Sequence, residues 1–124
     1  MGRLLYAQNV SAVTGACLMT RKEVFAQVGG FDAAYAVAFN DVDLCMRIRA
    51  AGYFIMWTPF AELYHHESLS RGPDDTAQKR ERFRGEYHRF RERWAKELAA
   101  GDPYYNPNLT LNREDFSLRD DLMK

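Results

Sequence analysis

Large apolar side chains recur with helical spacing between positions 76 and 100, and this feature constrains the fold more than any other. Spacings of 4, 3, 4 and 4 residues place them on one continuous helix face: Phe83, Tyr87, Phe90, Trp94 and Leu98. Gly101 ends the predicted helix, and the two prolines within residues 102–108 prevent its continuation. Such a helix needs a surface on which to bury its aromatic face.

The charges of this helix allow two interpretations. Between Lys79 and Glu97 there are eight Lys or Arg residues and four Glu residues. In the first interpretation, the aromatic face packs on the rest of the domain and the arginines stay solvated outside. In the second, segment 79–97 is a non-catalytic interaction module or binds an anionic membrane surface. Nucleic acid is not expected as a partner, because 17 basic residues in the chain are balanced by 17 acidic ones.

Composition restricts the class of protein. The chain has 124 residues, enough for one modest domain, and 47% hydrophobic and 27% charged residues are typical of a soluble globular protein. No apolar run is long enough to span a bilayer, and no signal peptide opens the sequence. Cys17 and Cys45 lack a CxxC arrangement. We therefore expect a cytoplasmic protein with reduced thiols.

Strands are predicted in the first half of the chain. Residues 10–19, 53–57 and 61–66 are apolar or β-branched without helical spacing, which is typical of short strands. Gly15 would allow another segment to approach the first strand closely. A turn-rich loop is predicted at residues 68–75.

Two helices are predicted between these strands. The first covers residues 21–28 and ends at Gly29 and Gly30. The second has Asn40 as its N-cap and ends at Gly52. Its buried face is expected to contain Leu44, Cys45, Ile48 and Ala51.

Two carboxylates in the second helix have different expected roles. Asp41 and Asp43 lie about 200° apart at roughly 100° per residue, so they cannot both point into one site. Asp43 can form an i, i+4 ion pair with Arg47. Asp41 has no such partner, and a carboxylate at a helix start can serve as a general base, although most such acids are structural.

Two adjacent histidines follow the predicted strand 61–66. If His65 and His66 lie on a strand, their side chains alternate, so at most one enters a given site. An imidazole can bind a divalent cation, but two ligands are normally too few. A histidine with a structural role at a strand end is the plainer interpretation.

The ordered series TGACL, GGFD, NDVDLC, AGY and HHES resembles the C-terminal half of a family 2 glycosyltransferase domain of the GT-A fold. The similarity is greatest to rhamnosyltransferase-like enzymes of O-antigen and surface-polysaccharide assembly, and covers residues 10–72. It implies an α/β chain, a partial GT-A fold with a mixed sheet and flanking helices. Residues 1–75 would be the acceptor-side half, 76–100 the long basic-aromatic amphipathic helix, and 101–124 an extended tail.

The resemblance implies catalytic and sugar-binding roles near the second helix. Asp41 matches the base that deprotonates the acceptor hydroxyl in this inverting family. Asn40 stands where the family usually has Glu or Asp. Thr14 and Gly15 match a turn beside the donor sugar and the acceptor.

The resemblance also implies metal and phosphate contacts after the strands. His65 or His66 matches a histidine near the donor diphosphate and its metal, with His65 slightly favoured. Arg71 lies in the following loop and is expected to contact phosphate. The implied cofactor is a divalent cation, Mg²⁺ or Mn²⁺, bound when the N-terminal half is present.

The implied partners are a nucleotide-sugar donor and a glycan or lipid-linked acceptor at the inner face of the cell membrane. A nucleotide-binding half is expected before Val10, yet nine residues precede it. The chain is therefore expected to be a fragment that is inactive alone. Open strand edges and uncovered apolar faces would favour a homo-oligomer or strand-exchanged assembly.

Overall fold

The computed structural model describes residues 5–66, 76–113 and 116–122. Within these ranges the chain is mixed α/β, with a small antiparallel sheet of two strands, four α-helices and two short 3₁₀ turns. The α-helices and strands are β1 (Gln8–Val10), α1 (Lys22–Gln27), α2 (Asn40–Ala50), β2 (Ile55–Trp57), α3 (Ala77–Arg93) and α4 (Ala95–Ala100). The α/β class is confirmed at this level, and the GT-A fold stays a prediction.

The two strands pair with Gln8 opposite Trp57 and Val10 opposite Ile55. The predicted strand 10–19 is wrong beyond Val10, because the chain turns away into a 3₁₀ turn at Gly15–Cys17. Short hydroxyl side chains favour such turns by bonding nearby backbone, and the Thr14 hydroxyl accepts the Ala16 N–H at 3.3 Å.

The predicted strand over residues 53–57 is shorter and less buried than expected. Its core-facing residue Ile55 is buried, whereas Phe54 and Met56 are 72% and 63% exposed. The predicted strand over residues 61–66 is wrong, because that segment is irregular and pairs with no other strand in the described part of the chain. The predicted loop 68–75 lies outside the described residues.

Helix α1 ends at two glycines, as predicted. Gly29 and Gly30 have φ angles of 82° and 66°, a region that side-chain-bearing residues seldom adopt. Their N–H groups bond the carbonyls of Ala26 at 3.0 Å and Phe25 at 2.9 Å. These bonds satisfy acceptors left free at the helix end.

Helix α2 begins differently from the prediction. Phe39, not Asn40, is the N-cap, with a left-handed φ of 63°, and Asn40 is the first helical residue. The difference arises from packing, because the Phe39 ring stacks on Phe90 at 5.1 Å. Ala51 is exposed rather than buried, since the helix ends at Ala50 and Gly52 turns the chain away with a φ of 90°.

Helix α2 connects two hydrophobic cores. The first core lies between α1, α2 and the sheet, and contains Val24, Leu44, Cys45, Ile48 and Ile55. The second core lies between α2 and α3, and contains Tyr35, Met46, Phe90 and Trp94. Because α2 contributes to both cores, burial of apolar surface on two sides fixes its position.

The predicted helix 76–100 forms as two helices that meet at Trp94. Phe90 and Trp94 are buried, whereas Phe83, Tyr87 and Leu98 remain 49%, 38% and 45% exposed. The aromatic face therefore packs on its own domain mainly through its C-terminal half. No helix among the described residues is long and apolar enough to cross a membrane.

The C-terminal segment folds back where an extended tail was predicted. Leu109 and Leu118 form an antiparallel bridge, and the Thr110 N–H bonds the Ser117 carbonyl at 2.9 Å. Arg113 stabilises this arrangement by donating to the Ser117 hydroxyl at 2.8 Å and to Asp120 at 3.0 Å.

The two cysteines should differ sharply in reactivity. Cys17 is exposed, whereas Cys45 is fully buried and burial raises the pKa of its thiol. Because the thiolate is the nucleophile, we expect a disulfide reagent at neutral pH to modify one thiol of the folded protein rapidly. A second thiol should react only after unfolding. The Cys17→Ser variant should lose the rapid phase, and two rapid equivalents in the unsubstituted chain would contradict this assignment.

Candidate active site

The Asp41 carboxylate lies at the start of α2 and joins that helix to the turn that begins at Gly15. Its Oδ2 accepts the Gly15 N–H at 2.8 Å, and its Oδ1 accepts the Val42 N–H at 2.8 Å. An ionised carboxylate offers about four acceptor positions. The two backbone bonds therefore fix the group while leaving it able to accept a proton.

The absence of a side chain at Gly15 permits this approach. A Cβ atom there would lie 3.3 Å from the Asp41 Cβ and 3.6 Å from its Oδ2. The neighbour is therefore the side chain of Asp41, whereas the sequence predicted a close approach of backbone to a strand at Gly15. Thr14 caps the same turn, and the Asn40 side chain accepts the Asp41 N–H at 2.7 Å.

Substitution of Gly15 tests this contact. Gly15→Ala should stretch the bond to Asp41, and hydrogen bonds to charged groups contribute about 1.5–3 kcal/mol. Lower chain entropy in the unfolded state offsets about 0.4–1 kcal/mol of that loss. We expect a net decrease of about 1 kcal/mol in the free energy of unfolding, measured by urea denaturation.

Gly85 provides the matched control for this substitution. It lies inside α3, and a Cβ atom there would meet nothing within 4 Å. Gly85→Ala should raise the free energy of unfolding by about 1 kcal/mol, since alanine is the better helix former. The same sign of change at both positions would contradict the proposed contact.

Asp43 lies in a different environment from Asp41, as their angular separation predicts. Its carboxylate is fully buried and binds Arg47 Nε at 2.8 Å and Trp94 Nε1 at 2.9 Å. Arg93 lies 3.4 Å from the same carboxylate and 2.7 Å from Asp32. The predicted ion pair with Arg47 is confirmed, and we call these five residues the Asp43 network.

Asp32 belongs to this network because its carboxylate forms an ion pair with Arg93. The Ala34 N–H and the Arg93 guanidinium lower the pKa of its carboxyl. Sequence reasoning missed the contacts of Asp43 with Arg93 and Trp94. A signal was present, because an indole N–H on a buried helix face needs an acceptor.

Glu86 on α3 is a second buried carboxylate that sequence reasoning missed. It is 4% exposed and accepts three consecutive backbone N–H groups, from Ala36 at 2.9 Å, Val37 at 3.2 Å and Ala38 at 2.8 Å. Its position three residues after Phe83, on the edge of the aromatic face, was the available signal.

The residues predicted to bind metal and phosphate are His65, His66 and Arg71. His65 and His66 are exposed in the irregular segment after β2. The described ranges contain no group of three or more His, Cys, Asp or Glu residues that could hold a metal ion. Arg71 lies outside the described residues. The metal-binding and phosphate-binding roles stay predictions.

An open apolar cavity of about 800 Å³ adjoins the Gly15 turn. Its walls come from the two strands, α1, α2 and the turn, and include Thr14, Cys17, Val24, Cys45 and Phe54. Thr14 therefore lies next to both the cavity and the turn that contacts Asp41.

The described part of the chain thus places a half-buried carboxylate, held by two backbone hydrogen bonds, beside a glycine turn. Comparison with known proteins adds a second line of information. The chain is 56% identical over 117 residues to uncharacterized protein y4gI of Sinorhizobium fredii, a match covering 94% of this chain and 13% of that protein.

Two further relatives carry names that describe a function. The O-antigen biosynthesis protein RfbC of Myxococcus xanthus is 39% identical over 119 residues, which are 95% of this chain and 9% of that protein. The N-acetylglucosaminyl-diphospho-decaprenol L-rhamnosyltransferase of Mycobacterium tuberculosis is 43% identical over 65 residues, which are 52% of this chain and 21% of the enzyme.

The chain is thus similar to part of a protein named for O-antigen biosynthesis and to part of a rhamnosyltransferase. The chain spans 9–21% of the length of the three relatives. No protein-family model matches the chain, and no solved structure does.

Proposed function

We propose that this chain supplies the acceptor-side part of an inverting glycosyltransferase of polysaccharide or O-antigen-type glycan assembly, with Asp41 as the general base. The observation that carries the proposal is the carboxylate of Asp41, held by the N–H groups of Gly15 and Val42 with acceptor positions left over. The relatives named for O-antigen biosynthesis and rhamnosyl transfer support the same reaction class.

The proposed reaction is a direct displacement at the sugar. Asp41 takes the proton of the acceptor hydroxyl while the hydroxyl oxygen attacks the anomeric carbon of the donor. The bond from that carbon to the nucleoside diphosphate breaks, and the diphosphate leaves with the electron pair. The two backbone N–H bonds hold the carboxylate in one place during this step, which favours catalysis by positioning.

A divalent cation, Mg²⁺ or Mn²⁺, is proposed for the complete enzyme, with His65 or His66 as one ligand. The other ligands would come from elsewhere in that enzyme, because the described residues contain no group of three or more His, Cys, Asp or Glu that could hold the ion. Thr14, Gly15 and Asn40 are proposed to line the sugar-binding side of Asp41, and Arg71 to bind donor phosphate.

The proposed substrates follow from the named relatives. A nucleotide-activated deoxyhexose such as rhamnose is the proposed donor, and a glycan on a polyprenyl diphosphate is the proposed acceptor. The alternative of a membrane-surface module on segment 79–97 receives less support, because Phe90 and Trp94 are buried within the second core.

A transfer assay tests the proposal. The complete product of the gene, whatever its length, is incubated with radiolabelled nucleotide-rhamnose and a polyprenyl-diphosphate glycan, beside the 124-residue chain alone. We expect labelled lipid with the complete product, loss of label with Asp41→Asn, and none with the 124-residue chain. Transfer that is indifferent to Asp41 would overturn the assignment of the base.

A further inference from the structure

The buried carboxylate of Glu86 holds the backbone that leads into α2. A buried charge is costly unless hydrogen bonds compensate it, and the N–H groups of Ala36, Val37 and Ala38 provide that compensation. One turn further along α3, the Arg89 guanidinium donates to the Ala34 carbonyl. Two side chains of opposite charge therefore hold the loop to α3.

The next residues carry this constraint to Asp41. Phe39 follows directly, with its left-handed backbone and its ring on Phe90. The Phe39 carbonyl accepts the Asp43 N–H at 2.8 Å, a bond in the first turn of α2. Asp41 lies in that turn, so the direction of its side chain depends on where α3 places the loop.

We infer that Glu86 is a positioning residue, whose carboxylate holds residues 36–38 so that Asp41 meets Gly15 and points its free acceptor positions at the substrate. The inference rests on the proposed function of Asp41. Glu86 contacts the backbone and not the reacting atoms, so it acts through Asp41. Loss of its negative charge would leave three backbone N–H groups facing a partner that cannot accept them all.

The substitution Glu86→Gln tests this role, because it keeps the shape of the side chain and replaces one acceptor oxygen with a donor. Displacement of a reacting group by about 1 Å can cost roughly 100-fold in rate, so we expect kcat to fall by about 10–100-fold. KM for donor and acceptor should stay within about twofold. Glu92→Gln, on the exposed face of the same helix, is the matched control and should leave kcat unchanged.

The rate per folded molecule separates positioning from a merely structural role. Loss of folded protein lowers the measured rate only in proportion to the folded fraction, which circular dichroism gives, whereas a displaced Asp41 carboxylate lowers kcat of the folded enzyme itself. A kcat per folded molecule within twofold of the unsubstituted enzyme would overturn the inference. If Glu86→Gln fails to fold, Glu86→Asp keeps the charge on a shorter stem, and its kcat per folded molecule should fall as well.

Nuclear magnetic resonance on the 124-residue chain distinguishes this inference from the proposed function. The Gly15 amide proton reports its bond to Asp41, and Glu86→Gln should move that resonance upfield, as Asp41→Ala should also do. An unmoved Gly15 resonance would overturn the positioning role, whatever the transfer assay gives. A moved resonance with activity indifferent to Asp41 would instead overturn the proposed base.

Discussion

Replacing Asp41 with asparagine is expected to reduce sugar transfer by the complete gene product by about 10²–10⁴-fold, the usual contribution of a general base. The amide retains one acceptor oxygen for the N–H of Gly15 or Val42, so the start of α2 should keep its structure. It cannot take the proton of the acceptor hydroxyl. The measurement is the initial rate of label transfer, with circular dichroism to verify the fold.

Glu92 on α3 offers the control for this experiment. Glu92→Gln removes the charge of an exposed carboxylate and leaves Asp41 and its contacts in place. A loss below about twofold for this variant, beside a loss of 100-fold or more for Asp41→Asn, would assign proton removal to Asp41. Rates for Asp41→Asn within tenfold of the unsubstituted enzyme would exclude it as the base.

Replacing Asp43 with alanine is expected to lower the free energy of unfolding by about 3–5 kcal/mol, because removal of one partner leaves buried polar groups uncompensated. Arg47 Nε and Trp94 Nε1 would both lose their acceptor. Whole domains are stable by about 5–15 kcal/mol, so the variant should be close to unfolding at 37 °C. Guanidinium denaturation followed by tryptophan fluorescence measures the change.

An exposed ion pair provides the comparison for Asp43. Asp120 pairs with Arg113 at 3.0 Å, with both side chains largely in solvent. Asp120→Ala should lower the free energy of unfolding by less than about 1 kcal/mol, since surface pairs are screened by water and salt. Equal losses at the two positions would mean that the Asp43 network contributes no more than a surface pair.

Elements whose signals lie within a few residues were predictable from the sequence. The glycines after α1 and the Asp43–Arg47 pair depend on neighbours in the chain and were placed correctly. The ends of the strands were not predicted correctly. The strands β1 and β2 pair across more than 40 residues, so their ends do not depend on neighbouring residues alone. The prediction of Asn40 as the N-cap of α2 was also wrong, since packing of Phe39 on α3 decides where α2 begins.

The contact of Asp41 with Gly15 was not predictable from the sequence, because their bond joins residues 26 positions apart. The role of Asp41 as a base stays a prediction. Glu86 looked like one of several glutamates on a solvated helix face. Its place at the edge of the aromatic face was a signal of burial, but the loop that folds over it lies 48–50 positions earlier in the chain.

Glu86 and Trp94 bond residues that lie 48–51 positions earlier in the chain. During synthesis those earlier residues are therefore made before their bonding partners. A ribosome adds roughly 5–20 residues per second, so about 3–10 s separate the appearance of Asp43 from that of Trp94. Throughout this interval Asp43, whose carboxylate is buried in the folded protein, lacks the Trp94 indole that donates to it. A chaperone that shields α2 would be needed most during these seconds, and premature termination before residue 94 should yield a product that proteases remove.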